Sequence, residues 1–254
     1  MERPPTGSDG VRLSLVIPAR IGAGRLERSL AQLADWLPRQ ACAELILVDD
    51  DSRPAAATRL REFAAATPGV ALLVNDRRRG KGFTVARGML AAHGRYRVFT
   101  DADLAYPLEE VAKVVQQLEA GSDVVVACRI LPESRYDISP SFFRYLYTRH
   151  LMSRAFNWVV RLTLLDDIWD TQAGLKGFTA AAAEALFRRQ TILGFGFDVE
   201  LLYIAHQHRL RITQLPVHFR YDHEPSTLRF TRDGVVMLMD LARIEWNSRR
   251  GRYR

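Results

Sequence analysis

Thr100-Asp101-Ala102-Asp103 places two carboxylates two residues apart, directly after the strand-like run 97–100. At the end of a strand such a pair can share one divalent cation, Mg2+ or Mn2+, and leave coordination positions for the oxygens of a diphosphate. Taken alone, the same pair equally solvates a strand end or caps a helix starting near Leu108. Two other groups of residues point toward it. Asp49-Asp50-Asp51 follows a second apolar run, and Arg77-Arg78-Arg79-Gly80-Lys81 supplies a basic turn. Backbone N–H groups at a helix start, together with an ammonium, suit a diphosphate, so Gly80-Lys81-Gly82 fits that ligand physically. In isolation the basic stretch reads as a solvated turn.

Positioning these groups requires a scaffold, and the apolar pattern supplies one. Short β-branched runs predict strands over 13–17, 45–48, 71–74, 97–100 and 124–127. Longer stretches with helical spacing predict helices over 26–37, 55–66, 81–92 and 108–119. This alternation predicts an α/β protein with a mostly parallel central sheet and helices on both faces. In such sheets ligands bind beyond the carboxyl ends of the strands. Pro18-Ala19-Arg20, Asp49-Asp50-Asp51, Asn75-Asp76 and Asp101-Ala102-Asp103 therefore border one crevice. A dinucleotide fingerprint is absent, because Gly22 and Gly24 meet Glu27 where a third glycine is required.

Composition narrows the classes further. With 254 residues, 48% hydrophobic and 26% charged, the chain is neither disordered nor fibrous but a packed globular protein. Lys and Arg number 36 against 29 acidic residues, and this net +7 favours an anionic partner without choosing among nucleotide, phospholipid and nucleic acid. Cys42 and Cys128 are too few for a zinc cluster or a disulfide scaffold, which makes a reducing cytoplasm the expected compartment. The longest stretch without a charged residue, 63–75, has 13 residues, short of the about 18 to 20 that span a bilayer. Residues 1–10 read as a loose tail.

Taken in order, Ser14-Leu15-Val16-Ile17-Pro18-Ala19, Leu47-Val48-Asp49-Asp50-Asp51-Ser52, Arg79-Gly80-Lys81-Gly82 and Thr100-Asp101-Ala102-Asp103-Leu104 resemble the family-2 nucleotide-sugar glycosyltransferases of GT-A fold. Asp170-Thr171-Gln172-Ala173-Gly174-Leu175-Lys176 and Phe197-Asp198-Val199-Glu200-Leu201-Leu202 resemble the dolichyl- or polyprenyl-phosphate glucosyltransferase branch more than the mannosyl branch. The likeness spans about 13–230. It implies an inverting transfer of a hexose, glucose favoured, from a UDP-sugar. By this resemblance Pro18, Arg20 and Asp50 surround the base, with Asp50 accepting from an imide N–H. Lys81 meets the diphosphate, Ala102 lines the nucleotide-sugar site, Asp101 meets ribose and metal, and Asp103 ligates the metal. Asp170 and Gln172 join the catalytic set, with Asp170 facing the sugar. Two departures stand out: Ile21-Gly22 replaces the usual Asn-Glu, and Ala105 stands where mannosyl relatives often carry a metal-binding Gln, which favours UDP.

The acceptor side falls in 141–165, which holds six aromatics and four arginines. Arg149, Ser153, Asn157 and Arg161 share one slowly drifting helical stripe among apolar residues. Such a helix is either a core or dimer helix or lies in a membrane interface. The resemblance makes it lipid-facing and assigns the acceptor phosphate to Arg129, Arg149 and Ser153. Residues 243–254, with five arginines, one Glu, Trp246 and Tyr253, suit anionic lipid at about 1 kcal/mol per basic residue, and equally a solvated tail or an RNA contact. The expected organisation is a tail (1–10), a catalytic domain (11–231) and an amphipathic basic helix and tail (232–254), peripheral on the cytoplasmic membrane face. No nucleic-acid partner is expected. A phosphate monoester, largely dianionic at pH 7, needs no general base. A hydroxyl acceptor needs one, for which Asp170 and Asp198 are the candidates. The alternatives are a soluble hydroxyl acceptor, a GDP-mannose-dependent polyprenyl-phosphate mannosyltransferase, and a binding module retaining the fold without catalysis.

Overall fold

The computed structural model describes residues 10–20, 23–138, 143–221 and 230–254, and their side chains except at 23–25, 138, 143–152, 221 and 230–233. Most of the expected tail, 1–9, lies outside them. Nine strands form among the described residues: β1 (Leu13–Ala19), β2 (Ala43–Asp49), β3 (Val70–Val74), β4 (Tyr96–Phe99), β5 (Val124–Cys128), β6 (Arg135–Ile138), β7 (Lys176–Thr179), β8 (Ile212–Pro216) and β9 (His218–Tyr221). Seven make one sheet in the order β3-β2-β1-β4-β7-β5-β8, while β6 and β9 pair separately as a parallel ribbon. Within the large sheet only β7 is antiparallel, to both β4 and β5.

The helices are α1 (Ala23–Trp36), α2 (Pro54–Ala66), α3 (Lys81–Ala91), α4 (Leu108–Glu119), α5 (Phe143–Thr163), α6 (Ala180–Arg189), α7 (Phe197–Gln207) and α8 (Phe230–Arg249). Alternate residues of a strand point to opposite faces, so the mostly apolar central strands feed two cores. Leu15, Ile17, Leu45 and Leu47 pack with Leu30 and Leu33 of α1, Leu60 of α2 and Val114 of α4. Val16, Ile46 and Val48 pack on the other face with Val85 and Met89 of α3, Leu186 of α6 and Leu201 of α7. Val160 of α5 and Leu241, Ile244 and Tyr253 from the C-terminal region enter this second core.

The five strands and four helices expected over the first half form with ends shifted by at most three residues. Reversal of β7 inserts an antiparallel strand between β4 and β5, and this brings the 170–175 turn against the ends of β4 and β5. Among the described residues no helix is long and apolar enough to cross a membrane.

Candidate active site

Register aligns the first polar strand ends: Pro18 lies beside Val48 and Ala19 beside Asp49. Pro18 is half-buried and Arg20 exposed. Asp49 accepts the Ser52 N–H at 2.9 Å, and Asp51 adopts a left-handed backbone conformation with φ 62°. Asp50 is buried and already occupied. Its Oδ1 accepts from Asn75 Nδ2 at 2.9 Å and from the Arg79 N–H at 2.7 Å, and its Oδ2 from the Gly80 N–H at 3.1 Å. A carboxylate has about four lone-pair sites, so one stays open on Oδ2. Asp50 thus ties the end of β3 to the basic turn.

That turn ends at Gly80 with φ 98°, and Lys81 opens α3. Lys81 Nζ lies 2.7 Å from Asp101 Oδ1. Burial opposes its charge, but Asp101, Asp198 and Asp103 outweigh burial and hold its pKa above the ordinary lysine value. Asp101 Oδ2 faces Gly174 so closely that a Cβ there would lie 2.1 Å from it. The Asp101 carbonyl accepts the Leu104 N–H at 3.0 Å, and Asp103 Oδ1 accepts the Ala105 N–H at 3.2 Å. These bonds make Asp101-Ala102-Asp103-Leu104 a tight turn, with Ala102 buried, Asp103 exposed and Leu104 in the left-handed region at φ 49°.

Among the described residues no group of three or more His, Cys, Asp or Glu could hold a metal unaided. Two hard carboxylates in one turn, one of them in a cradle that any side chain at 174 would fill, fit Mg2+ or Mn2+. Such ions favour one or two carboxylates plus substrate phosphate over an all-protein cage.

Beneath this turn lie two buried ion pairs. Lys176 in β7 is 0% exposed, and its Nζ donates to Asp198 Oδ1 at 2.5 Å and to the Ala173 carbonyl at 2.7 Å. Burial pulls the Lys176 pKa down against the attraction of Asp198. It pushes the Asp198 pKa up against Lys176 and Lys81. Asp170 is 1% exposed and holds Arg129 in a fork: Arg129 Nε donates to Oδ2 at 2.7 Å, Nη2 to Oδ1 at 2.9 Å, and the Arg129 N–H to Oδ2 at 3.1 Å. Burial would raise the Asp170 pKa, but the Arg129 charge and its hydrogen bonds prevail and lower it. Asp170 is therefore a carboxylate at neutral pH.

Part of the stripe expected on α5 reaches this turn. Asn157 Oδ1 accepts from the Thr171 N–H at 3.2 Å and from Thr171 Oγ1 at 2.6 Å. Ser153, one helical turn earlier, is half-buried. Arg161 leaves the turn, donating to the Asp166 carbonyl and lying 4.0 Å from the centre of the Trp169 ring. Arg149 is in α5, but its side chain lies outside the described ones. Gln172 Nε2 is 3.8 Å from Met237 Sδ on α8. Sequence reasoning missed the Lys176–Asp198 and Arg129–Asp170 pairings. The available signal for the first was a lysine within the otherwise uncharged 171–183 stretch.

The profile of the family described as glycosyl transferase family 2 matches residues 14–178, from β1 through most of β7. The chain belongs to this family. Dolichyl-phosphate beta-glucosyltransferase of Dictyostelium discoideum is 27% identical over 249 residues, covering 94% of this chain and 75% of that protein. The human dolichyl-phosphate beta-glucosyltransferase is 28% identical, covering 82% and 67%. Glycosyltransferase AglD of Haloferax volcanii is 30% identical over 96% of this chain, which spans only 39% of that protein's length. Among solved structures, glucosyl-3-phosphoglycerate synthase from Mycobacterium tuberculosis with phosphoglyceric acid superposes with TM-score 0.66 at 19% identity, over 92% of this chain and 80% of the other. The same enzyme with Mn2+ and UDP-glucose gives 0.61 at 20% identity, over 94% and 84%. The family-2 glycosyltransferase described here thus has the GT-A fold.

Proposed function

We propose that this family-2 glycosyltransferase moves a hexose, glucose favoured, from a UDP-sugar to a polyprenyl or dolichyl phosphate at an anionic membrane surface. One observation carries the acceptor class: the two buried carboxylates available as a base, Asp170 and Asp198, are each held by a cation, Arg129 and Lys176. A hydroxyl acceptor requires a free base, whereas a phosphate arrives already ionised. Its oxygen bonds to the anomeric carbon as the bond to UDP breaks, and no proton need move. The names of the relatives, dolichyl-phosphate beta-glucosyltransferases, agree with this reading.

On this reading Pro18, Arg20 and the open site of Asp50 receive the base, Ala102 lines the floor, and the Gly80-Lys81-Gly82 turn receives the diphosphate. Mg2+ or Mn2+ held by Asp101 and Asp103 would supply neutralisation of the leaving diphosphate. Lys81, kept protonated by Asp101, adds to it. Asp170 then orients Arg129, whose unused guanidinium N–H groups join Arg149 and Ser153 around the acceptor phosphate. Gln172 borders the sugar. Membrane contact is supported by exposed Trp158 and Leu162 on α5 and by Val235, Val236, Leu238 and Met239 on α8, with five arginines over 243–254.

Calorimetric titration with UDP and GDP in Mn2+ tests the nucleotide assignment. UDP should bind more tightly, and Asp103→Asn should abolish the metal-dependent part in a folded protein. Tighter GDP binding overturns the glucosyl-branch reading.

A further inference from the structure

Glu200, in the first turns of α7, is fully buried, and each hydrogen-bond donor described around it is neutral. Its oxygens accept the Thr191 N–H at 3.0 Å, Thr191 Oγ1 at 2.6 Å, the Ile192 N–H at 2.8 Å and the Tyr253 hydroxyl at 2.7 Å. A buried anion satisfied this way fixes the geometry of its donors, because releasing any of them leaves charge uncompensated in a low dielectric. What it fixes directly is Thr191 and Ile192, and the stretch from Ile192 to Leu193 abuts the Lys81 turn. A Cβ on Gly80 would lie 2.5 Å from the Leu193 carbonyl oxygen, and one on Gly82 would lie 2.7 Å from that of Ile192. The Phe83 N–H donates to the Leu193 carbonyl at 3.3 Å. Gly82 thus rests against the carbonyl of Ile192, whose own N–H Glu200 holds, and Gly80 against the carbonyl of the next residue, Leu193.

The C-terminal region closes the clamp from behind. Tyr253 is buried against Tyr203, Asn247 Nδ2 donates to Thr191 Oγ1 at 3.0 Å, and His208 Nε2 lies 2.6 Å from the Tyr253 carbonyl oxygen. We propose that Glu200 is a positioning residue for the sugar donor's diphosphate, acting through 191–193 on the Gly80-Lys81-Gly82 turn, and that Tyr253 completes this clamp. Seating of the segment after α8 is thereby coupled to nucleotide affinity. The proposal rests on reading the Lys81 turn as the diphosphate site.

Two measurements on the full chain test it: UDP titration in Mn2+, and amide hydrogen exchange at 80–84 with β5 as internal reference. Tyr253→Phe, which keeps the ring, should weaken UDP binding by about 3- to 10-fold, the scale of one lost neutral hydrogen bond, and Glu200→Gln by about 10- to 100-fold, the range for changes behind a binding residue. Exchange at 80–84 should quicken in both while β5 is unchanged, and the KM for acceptor should stay put. Unaltered UDP affinity in a folded Glu200→Gln overturns the proposal, as does exchange that rises equally throughout. If the unaltered protein binds no UDP, the diphosphate reading fails, and the proposal fails with it. Unchanged exchange at 80–84 in Tyr253→Phe separately refutes the coupling.

Discussion

Gly174→Ala isolates the geometry of the Asp101 carboxylate from every other feature of the site. Gly174 is not among the glycines with positive φ, so alanine brings no backbone strain there. Its methyl, however, would sit 2.1 Å from Asp101 Oδ2 and 2.8 Å from Cγ. The carboxylate must give way by about 1 Å to restore van der Waals separation, and this disturbs the 2.7 Å ion pair with Lys81. Overpacking of this kind costs about 1–3 kcal/mol of stability, offset by about 0.4–1 kcal/mol from the stiffer unfolded chain. On the proposed metal role of Asp101, displacing its carboxylate should reduce Mn2+ affinity by about 10- to 100-fold, or about 1.4 to 2.8 kcal/mol. The assay is calorimetric titration of Mn2+ at saturating UDP, with the melting midpoint recorded alongside. Gly177→Ala is the control, because its methyl would lie 2.2 Å from Val114 Cγ1 in the core, away from Asp101. It should lower the midpoint and spare Mn2+ affinity. Normal Mn2+ affinity in Gly174→Ala, or an equal loss in Gly177→Ala, would show that the Asp101–Gly174 contact does not set metal affinity.

Asp170→Asn removes the charge that Arg129 is folded around and should destabilise the protein by about 3–5 kcal/mol, measured by denaturant unfolding. Because the folded Asp170 pKa is lowered from the ordinary 3.8, its contribution is present above that value and is lost as pH falls through the folded one. The variant's stability should accordingly depend less on pH below about 4. Arg149→Ala should raise the KM for a phosphate acceptor by about tenfold or more, the scale of a lost charged hydrogen bond, and leave UDP affinity in place. Replacing Trp158 and Met239, exposed at 63% and 66%, by Glu should weaken binding to phosphatidylserine vesicles in a sedimentation assay without lowering the melting midpoint.

The ends of β2 and β4 were legible because each follows a largely buried, mostly apolar run, so the positions of Asp50 and Asp101 follow from local pattern alone. The basic turn was legible too, since Gly80 must precede the helix that begins at Lys81. What escaped was set by distant chain. The reversal of β7 depends on how 164–176 returns, and nothing in Lys176-Gly177-Phe178-Thr179 signals its direction. Arg129 and Asp170 are 41 residues apart, so their pairing had no spacing to betray it. Asp50 looked like a ligand residue, yet most of its capacity goes to Asn75, Arg79 and Gly80, whose amides become neighbours only in the folded state. Of the stripe expected on α5, Asn157 serves Thr171 inside the protein and Arg161 packs on Trp169, while the Arg149 side chain lies outside the described ones.

The proposed base-free transfer of a hexose from a UDP-sugar to an ionised phosphate is tested by product formation from labelled UDP-glucose and Mn2+ with polyprenyl phosphate, beside the matched polyprenol of equal chain length. Labelled lipid should form with the phosphate, none with the alcohol, and none with the phosphate when Asp103→Asn replaces the unaltered protein. Transfer to the alcohol at a comparable rate, or transfer that survives Asp103→Asn, contradicts it.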